Sequence, residues 1–142
     1  MATTYATEIA GRNAVPATKA DGGVMGGRVR RFRATITLAA QASGDDVVLA
    51  KVPAGHSFMF GVISSTVTLA TATVAVGITG TTAKFKAAAV FTATDTPTFF
   101  GKTAAVATGN KLTAEETVLL TVGTASLPAS GTLVVDMYYS AP

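Results

Sequence analysis

Residues 29–38 read VRRFRATITL, a stretch in which apolar and polar side chains alternate with a period of two. A β-strand directs successive side chains to opposite faces of its sheet, so this alternation predicts a strand with one buried face. The apolar set is Phe32, Ala34, Ile36 and Leu38. The polar set is Arg31, Arg33, Thr35 and Thr37.

Further stretches carry strand signals, namely β-branched residues or alternation between turns rich in Gly, Pro, Ser and Asp. Strands are expected over 47–52, 57–65, 66–75 (with a continuation to 79), 96–101, 117–122 and 132–139. Residues 57–65 are apolar on both faces and are expected in the centre of a sheet, whereas Pro97 favours an edge for 96–101. About seven or eight strands with short spacings predict an all-β fold, an antiparallel β-sandwich of jelly-roll-like type.

One segment favours a helix instead. Residues 82–91 read TAKFKAAAVF, which contains the only run of good helix formers; Thr82 could cap it, and Phe85 and Ala89 would share a face. We therefore expect one short helix of about two turns over residues 82–90. Residues 102–111 are expected to form a loop of small residues, and 113–116 a single turn before the next strand.

The composition argues against an enzyme. Charged residues make up 13% of the chain, there are 27 alanines and 24 threonines, and Cys and Trp are absent. The absence of Cys excludes disulfides, thiolate metal sites and thiol nucleophiles. No phosphate-binding loop, dinucleotide fingerprint, metal-ligand spacing or nucleophile elbow occurs. We expect no catalytic residue, no cofactor and no metal site.

The remaining titratable groups favour structural roles. His56, the single histidine, follows a Pro-Ala-Gly turn and is expected on a turn or the surface, because a general base needs an orienting carboxylate and a nucleophile. The pairs Asp45-Asp46 and Glu115-Glu116 lack the further ligands that a calcium site requires. They are expected to be solvated turn charges.

Residues 1–27 differ from the rest of the chain. Six glycines and prolines punctuate them, and no apolar period persists. They are interpreted either as a flexible terminus or as an extended N-terminal arm that becomes ordered against a neighbouring subunit. The expected division is an arm over 1–27 and a β-sandwich domain over 28–142.

Positive charge is concentrated at the N-terminal end. Residues 1–33 carry a net charge of +4, whereas residues 34–142 carry −1. The cations of the first region are Arg12, Lys19, Arg28, Arg30, Arg31 and Arg33. Three interpretations stay open: contact with an acidic protein surface, a solvated strand, or a nucleic-acid contact. Nucleic acid is disfavoured because Phe32 is the only aromatic residue interleaved with the arginines.

Several segments resemble small virion proteins of tailed bacteriophages. The resemblance rests on turns and composition in residues 52–55 (VPAG), 76–89 (VGITGTTAKFKAAA), 96–101 (TPTFFG), 112–117 (LTAEET) and 127–135 (LPASGTLVV). It covers about residues 34–142, and the proteins in question are similar to capsid cement, or decoration, proteins.

The resemblance implies a jelly-roll or related β-sandwich that assembles as a trimer and sits at threefold positions between capsomers. The major capsid protein would be the partner, and the basic arm and first strand would bind it. The expected location is the outer surface of the virion, after synthesis in the cytoplasm of the host bacterium. No membrane association is expected, because the N-terminus lacks a signal peptide and no stretch is apolar enough to span a bilayer.

A different class of function stays open beside this one. A head-fibre, tail or baseplate module that recognises host glycan or another virion protein would use exposed aromatic residues. Tyr138 and Tyr139, in the last expected strand, are the candidates.

Overall fold

A computed structural model of the chain describes residues 4–107 and 111–141. It contains eight strands: β1 (Arg28–Thr37), β2 (Asp46–Val52), β3 (Ser57–Ser65), β4 (Thr73–Ile78), β5 (Thr81–Val90), β6 (Thr98–Phe100), β7 (Glu116–Gly123) and β8 (Thr132–Ala141). Two single-turn helices accompany them, α1 (Thr7–Ala10) and α2 (Thr103–Val106), and a short 3₁₀ turn follows α1 at Gly11–Asn13.

The strands form two four-stranded antiparallel sheets. The first sheet has the order β1-β8-β3-β6 and the second the order β2-β7-β4-β5. The first four strands pair with the last four in reverse order, as in one long hairpin: β1 with β8, β2 with β7, β3 with β6 and β4 with β5. The predicted all-β antiparallel sandwich is confirmed, with β3 inside its sheet and β6 at an edge as expected.

The core lies between the two sheets and follows the period of two. Along β8, the inward side chains Leu133, Val135, Met137 and Tyr139 are fully buried. They face residues of the second sheet that are equally buried, among them Val74, Val76, Val118 and Leu120. In β1 the predicted alternation is confirmed, because Ile36 is buried while Arg31, Arg33, Thr35 and Thr37 are exposed.

The helix predicted over residues 82–90 is wrong, because these residues form β5. Phe85 is buried and packs on Phe58 across the sandwich, with ring centroids 4.5 Å apart. Pairing with β4 and burial of this one ring outweigh the helix propensity of the alanines, of which Ala87, Ala88 and Ala89 lie exposed at the edge of the sheet.

Two other boundaries also differ from the prediction. The strand expected from residue 66 begins only at Thr73, because the Ser65 hydroxyl donates to the Val67 carbonyl and starts a turn. The loop expected over 102–111 contains α2, while residues 108–110 lie outside the described part of the chain.

Residues 4–27 contain no strand. Residues 21–27 contact the rest of the chain. The Asp21 carboxylate pairs with Lys111 (3.3 Å) and also accepts a local hydrogen bond from the Gly23 amide (2.7 Å). The Ser140 hydroxyl on β8 donates to the Gly23 carbonyl. The residues before Asp21 are mostly exposed, and the division into arm and domain at residue 27 stays a prediction.

Gly77 on β4 provides a test of the packing between β4 and β5. A Cβ atom there would lie 2.2 Å from the Thr81 carbonyl oxygen and 2.5 Å from the Thr82 carbonyl carbon, both backbone atoms. We expect Gly77→Ala to lower the free energy of unfolding by about 2 kcal/mol or more, because β5 must move to make room.

The measurement is urea unfolding followed by circular dichroism. Gly22→Ala is the matched control, since a Cβ at Gly22 meets no atom within 4 Å. Equal unfolding midpoints for the two variants would show that β5 is not held as close to β4 as described here.

Candidate functional site

The outer face of the first sheet brings predicted residues from different parts of the chain together. Since Val135, Met137 and Tyr139 point inward, Asp136 and Tyr138 point outward from β8. Arg31 on β1 lies opposite Tyr138, and Arg33 lies opposite Asp136. On the other side of β8, Tyr138 lies opposite Phe60 and Asp136 lies opposite Val62.

Three aromatic rings form a row across this face. Tyr138 stacks on Phe60 with centroids 4.7 Å apart and planes inclined by 21°. Phe60 in turn contacts Phe99 of the edge strand β6 at 5.7 Å. Phe99 is 72% exposed. Phe99 and the two half-buried rings beside it form a contiguous apolar patch, and such exposed patches are typical of interaction surfaces.

An ion pair crosses the same face beside the aromatic row. The Arg33 guanidinium donates two hydrogen bonds to the Asp136 carboxylate, from Nε to Oδ1 (2.8 Å) and from Nη2 to Oδ2 (2.6 Å). The Arg33 side chain is 51% exposed, whereas that of Asp136 is 9% exposed. Hydrogen bonding by Arg33 lowers the pKa of Asp136, against the opposing effect of burial.

Arg31 lies at the end of the aromatic row and is exposed. Within residues 4–107 and 111–141, its side chain makes no ion pair or hydrogen bond. We call Arg31, Arg33, Phe60, Tyr138 and Phe99 together the arginine–aromatic face. Aromatic and arginine side chains are the types enriched in the centres of protein interfaces.

The other predicted cations do not join this face. Arg28 and Arg30 are exposed at the start of β1, and alternation directs them to the side opposite Arg31. Arg12 and Lys19 lie in the N-terminal segment, where both line an open depression together with Gly22 and Met25. The six cations thus contribute to at least two different surfaces.

Tyr139 is not an exposed recognition residue, and its assignment to such a surface is wrong. Its side chain is fully buried among rings of the core, including Phe58 at 5.4 Å and Phe32 at 5.5 Å. Burial raises the pKa of its phenol. Tyr138 alone keeps the outward position, because adjacent residues on a strand point to opposite faces.

The remaining titratable residues have structural surroundings. His56 is half-buried, with Nδ1 3.1 Å from the Pro53 carbonyl oxygen and its ring against Phe32. Glu116 is not a solvated turn charge as expected, because it begins β7 and pairs with Lys84 (2.5 Å). Asp46 accepts a hydrogen bond from Thr121.

Neither a metal-ligand cluster nor a membrane-spanning helix is found in the described part of the chain. No group of three or more His, Cys, Asp or Glu side chains is placed to hold a metal ion among residues 4–107 and 111–141. No helix in these ranges is long and apolar enough to span a bilayer.

Sequence reasoning missed Phe60 and Phe99 as surface residues. For Phe60 a signal was present, because residues 57–65 are apolar on both faces. Two apolar faces indicate a strand covered on both sides, yet only the inward face of β3 is covered within this chain. The second apolar face is half-buried and lies at the surface of the chain.

The fold is similar to chains in solved capsid structures of three phages. A chain of the cyanophage Pam1 capsid asymmetric unit has a TM-score of 0.66 and 17% identity, covering 82% of this chain and 86% of its own length. A chain of the capsid of Ralstonia phage GP4 has a TM-score of 0.67 and 20% identity, with the same coverage, 82% and 86%.

A chain of the acid-stable capsid of Helicobacter pylori bacteriophage KHP30 has a TM-score of 0.59 and 18% identity, covering 80% of this chain and 88% of its own length. No protein-family model matches the sequence, and no curated protein matches it. At these identities the similarity establishes the fold of the chain.

The Arg33–Asp136 pair predicts a pH dependence of stability. A carboxyl group with a lowered pKa in the folded state stabilises the fold above its unfolded pKa of about 3.9 and loses that contribution as the pH falls. We therefore expect Asp136→Asn to be less stable than the wild type at pH 7, and the difference in melting temperature to shrink below about pH 4.

Thermal unfolding between pH 7 and pH 3 measures this difference. Asp95→Asn serves as the control, since Asp95 is exposed and its side chain makes no ion pair among the described residues. A difference for Asp136→Asn that is the same at every pH would show that the carboxylate charge does not stabilise the fold.

Proposed function

We propose that this chain is a structural virion protein that decorates and stabilises the capsid of a tailed phage, that is, a cement protein. The observation that carries the proposal is the match of its sandwich, over about four-fifths of the chain, to chains in three phage capsid structures. The exposed arginine–aromatic face supports it, because a decorating protein must bury part of its surface on the shell.

The proposed partner is the major capsid protein, and the proposed site is the outer surface of the shell between capsid subunits. A protein bound across such a junction adds contacts that must break before the subunits separate. It stabilises the shell by mass action, since it binds the assembled state and not the separated one. This role needs no catalytic group, and we propose that the chain is not an enzyme.

The proposed assembly is a homotrimer. A threefold position between capsomers presents three equivalent surfaces, and a trimer would engage all three at once. Simultaneous binding raises the overall affinity above that of a single contact.

The cations at the N-terminal end are proposed to bind acidic capsid surface. Arg12, Lys19, Arg28 and Arg30 are exposed, and their side chains make no ion pair with any residue in the described ranges. Residues before Asp21 contribute little to the sandwich, so they can take up a new path on the shell. The arm and the first strand would then bind the same shell from two positions.

Glycan recognition is a second candidate function. The half-exposed Tyr138 stacked on Phe60 favours it, because sugars bind to flat aromatic surfaces. Saturable binding on a glycan array that is lost in Tyr138→Ala would support this function in place of capsid decoration.

Deletion of residues 1–20 tests the role of the arm. The shortened chain keeps Asp21 and Gly23, and with them the contacts to Lys111 and Ser140, so we expect an unchanged melting temperature. Its affinity for assembled shells of the major capsid protein of the same phage should fall by about tenfold or more. The arm and the first strand are two linked contacts, and the deletion removes that of the arm.

Co-sedimentation with shells and the temperature of shell disruption are the measurements. The wild type should bind saturably and raise the disruption temperature. Wild-type affinity in the shortened chain would contradict the role of the arm, whereas no binding by the wild type would contradict capsid decoration itself.

A further inference from the structure

Two features of the arginine–aromatic face would have to be matched by any partner that covered it. Phe99 is largely exposed, and Phe60 and Tyr138 beside it are half-buried. Arg31 carries a charge that no described side chain neutralises by direct contact. A partner that covers the rings must also supply an anion to Arg31, because burying an unpaired guanidinium is costly.

The carboxylate of Asp136, which lies on the same face, does not form an ion pair with Arg31. Asp136 accepts hydrogen bonds from Nε and Nη2 of Arg33, one on each carboxylate oxygen. Arg31 helps to lower the pKa of Asp136 through its charge, but it makes no ion pair with it. With Arg31, Arg33 and Asp136 counted together, the face has an excess of one positive charge.

We propose that the arginine–aromatic face is a docking surface for an acidic and apolar patch of a protein partner. A partner carboxylate binds the guanidinium of Arg31 beside Tyr138, and apolar side chains of the partner cover Phe99. The proposal rests on the proposed function in one respect: in a virion, the partner is a capsid subunit.

Charge decides between this partner and other classes of ligand. Nucleic-acid strands and anionic membranes are held by many cations at once, and an excess of one positive charge supplies too few. A neutral glycan could stack on the rings but would leave Arg31 without an anion. A carboxylate flanked by apolar groups satisfies both the arginine and the aromatic row.

Two substitutions on the face remove the two contributions separately. Phe99→Ser removes the exposed ring, and Arg31→Glu reverses the unpaired charge. Matched controls lie on β2 of the second sheet: Val48→Ser removes a side chain that is 59% exposed, and Lys51→Glu reverses an exposed charge. All four positions are exposed, so the melting temperatures should stay close to that of the wild type.

We expect Phe99→Ser and Arg31→Glu each to weaken binding to the shells by about tenfold or more, and the two controls by less than about twofold. Added salt should weaken wild-type binding more than binding of Arg31→Glu. Wild-type affinity in both face variants would overturn the proposal. Light scattering gives a further test. If the wild type is an oligomer and Phe99→Ser is a monomer while the controls stay oligomeric, the proposal is also overturned, because the face would then bind a second copy of the chain.

A synthetic peptide tests the chemistry of the partner without a capsid. The peptide alternates Glu with Leu and Phe, and its control carries Gln in place of every Glu. The Glu peptide should shift the NMR signals of Arg31 and Phe99 in the wild type, whereas in Arg31→Glu it should leave the signals of Phe99 unshifted. The Gln peptide should bind the wild type more weakly. Equal binding of the two peptides, or no binding of either, would overturn the proposal even if the shells are decorated, and failure of shell binding alone would overturn only the proposed function.

Discussion

The burial of β8 between β1 and β3 is the constraint on which the rest of the structure depends. Its inward side chains, from Leu133 to Tyr139, are fully buried, and each contributes about 1.5–3 kcal/mol through removal from water. Because a strand alternates strictly, the same burial fixes Asp136 and Tyr138 on the outer face. The core and the candidate interface are thus two sides of one strand, and a register shift of one residue would destroy both.

The outer face combines a fixed part and an open part. Arg33 is held by Asp136 across the β1–β8 pair, which ties an edge strand to the centre of the sheet. Arg31, two residues earlier, keeps its guanidinium free among the described residues, next to Tyr138. A rigid sheet that presents one uncommitted cation beside exposed rings is well suited to binding a preformed protein surface, since little conformational entropy is lost on docking.

Much of the fold follows from alternation and turns in the sequence. The bounds of β1, β3 and β8 were predicted to within about two residues, because their apolar positions repeat with a period of two. The segment 82–90 was not, since its alanines favour a helix and only the tertiary contact of Phe85 selects a strand. For the site, Arg31 and Arg33 could be placed on one face of a strand. That Phe60 and Phe99 share this sheet face depends on strand order, which local sequence does not specify. The adjacent residues Tyr138 and Tyr139 could not be told apart without knowing which face of β8 is buried.

The central claim is that the chain binds its partner through the outer face of the first sheet. Hydroxyl-radical footprinting of the chain, free and bound to shells, tests this claim most directly, because it reports the solvent exposure of individual rings. Docking through this face predicts that labelling of Phe99 and Tyr138 falls on binding while labelling of Val48 on the second sheet is unchanged. Undiminished labelling of Phe99 on decorated shells would contradict the claim.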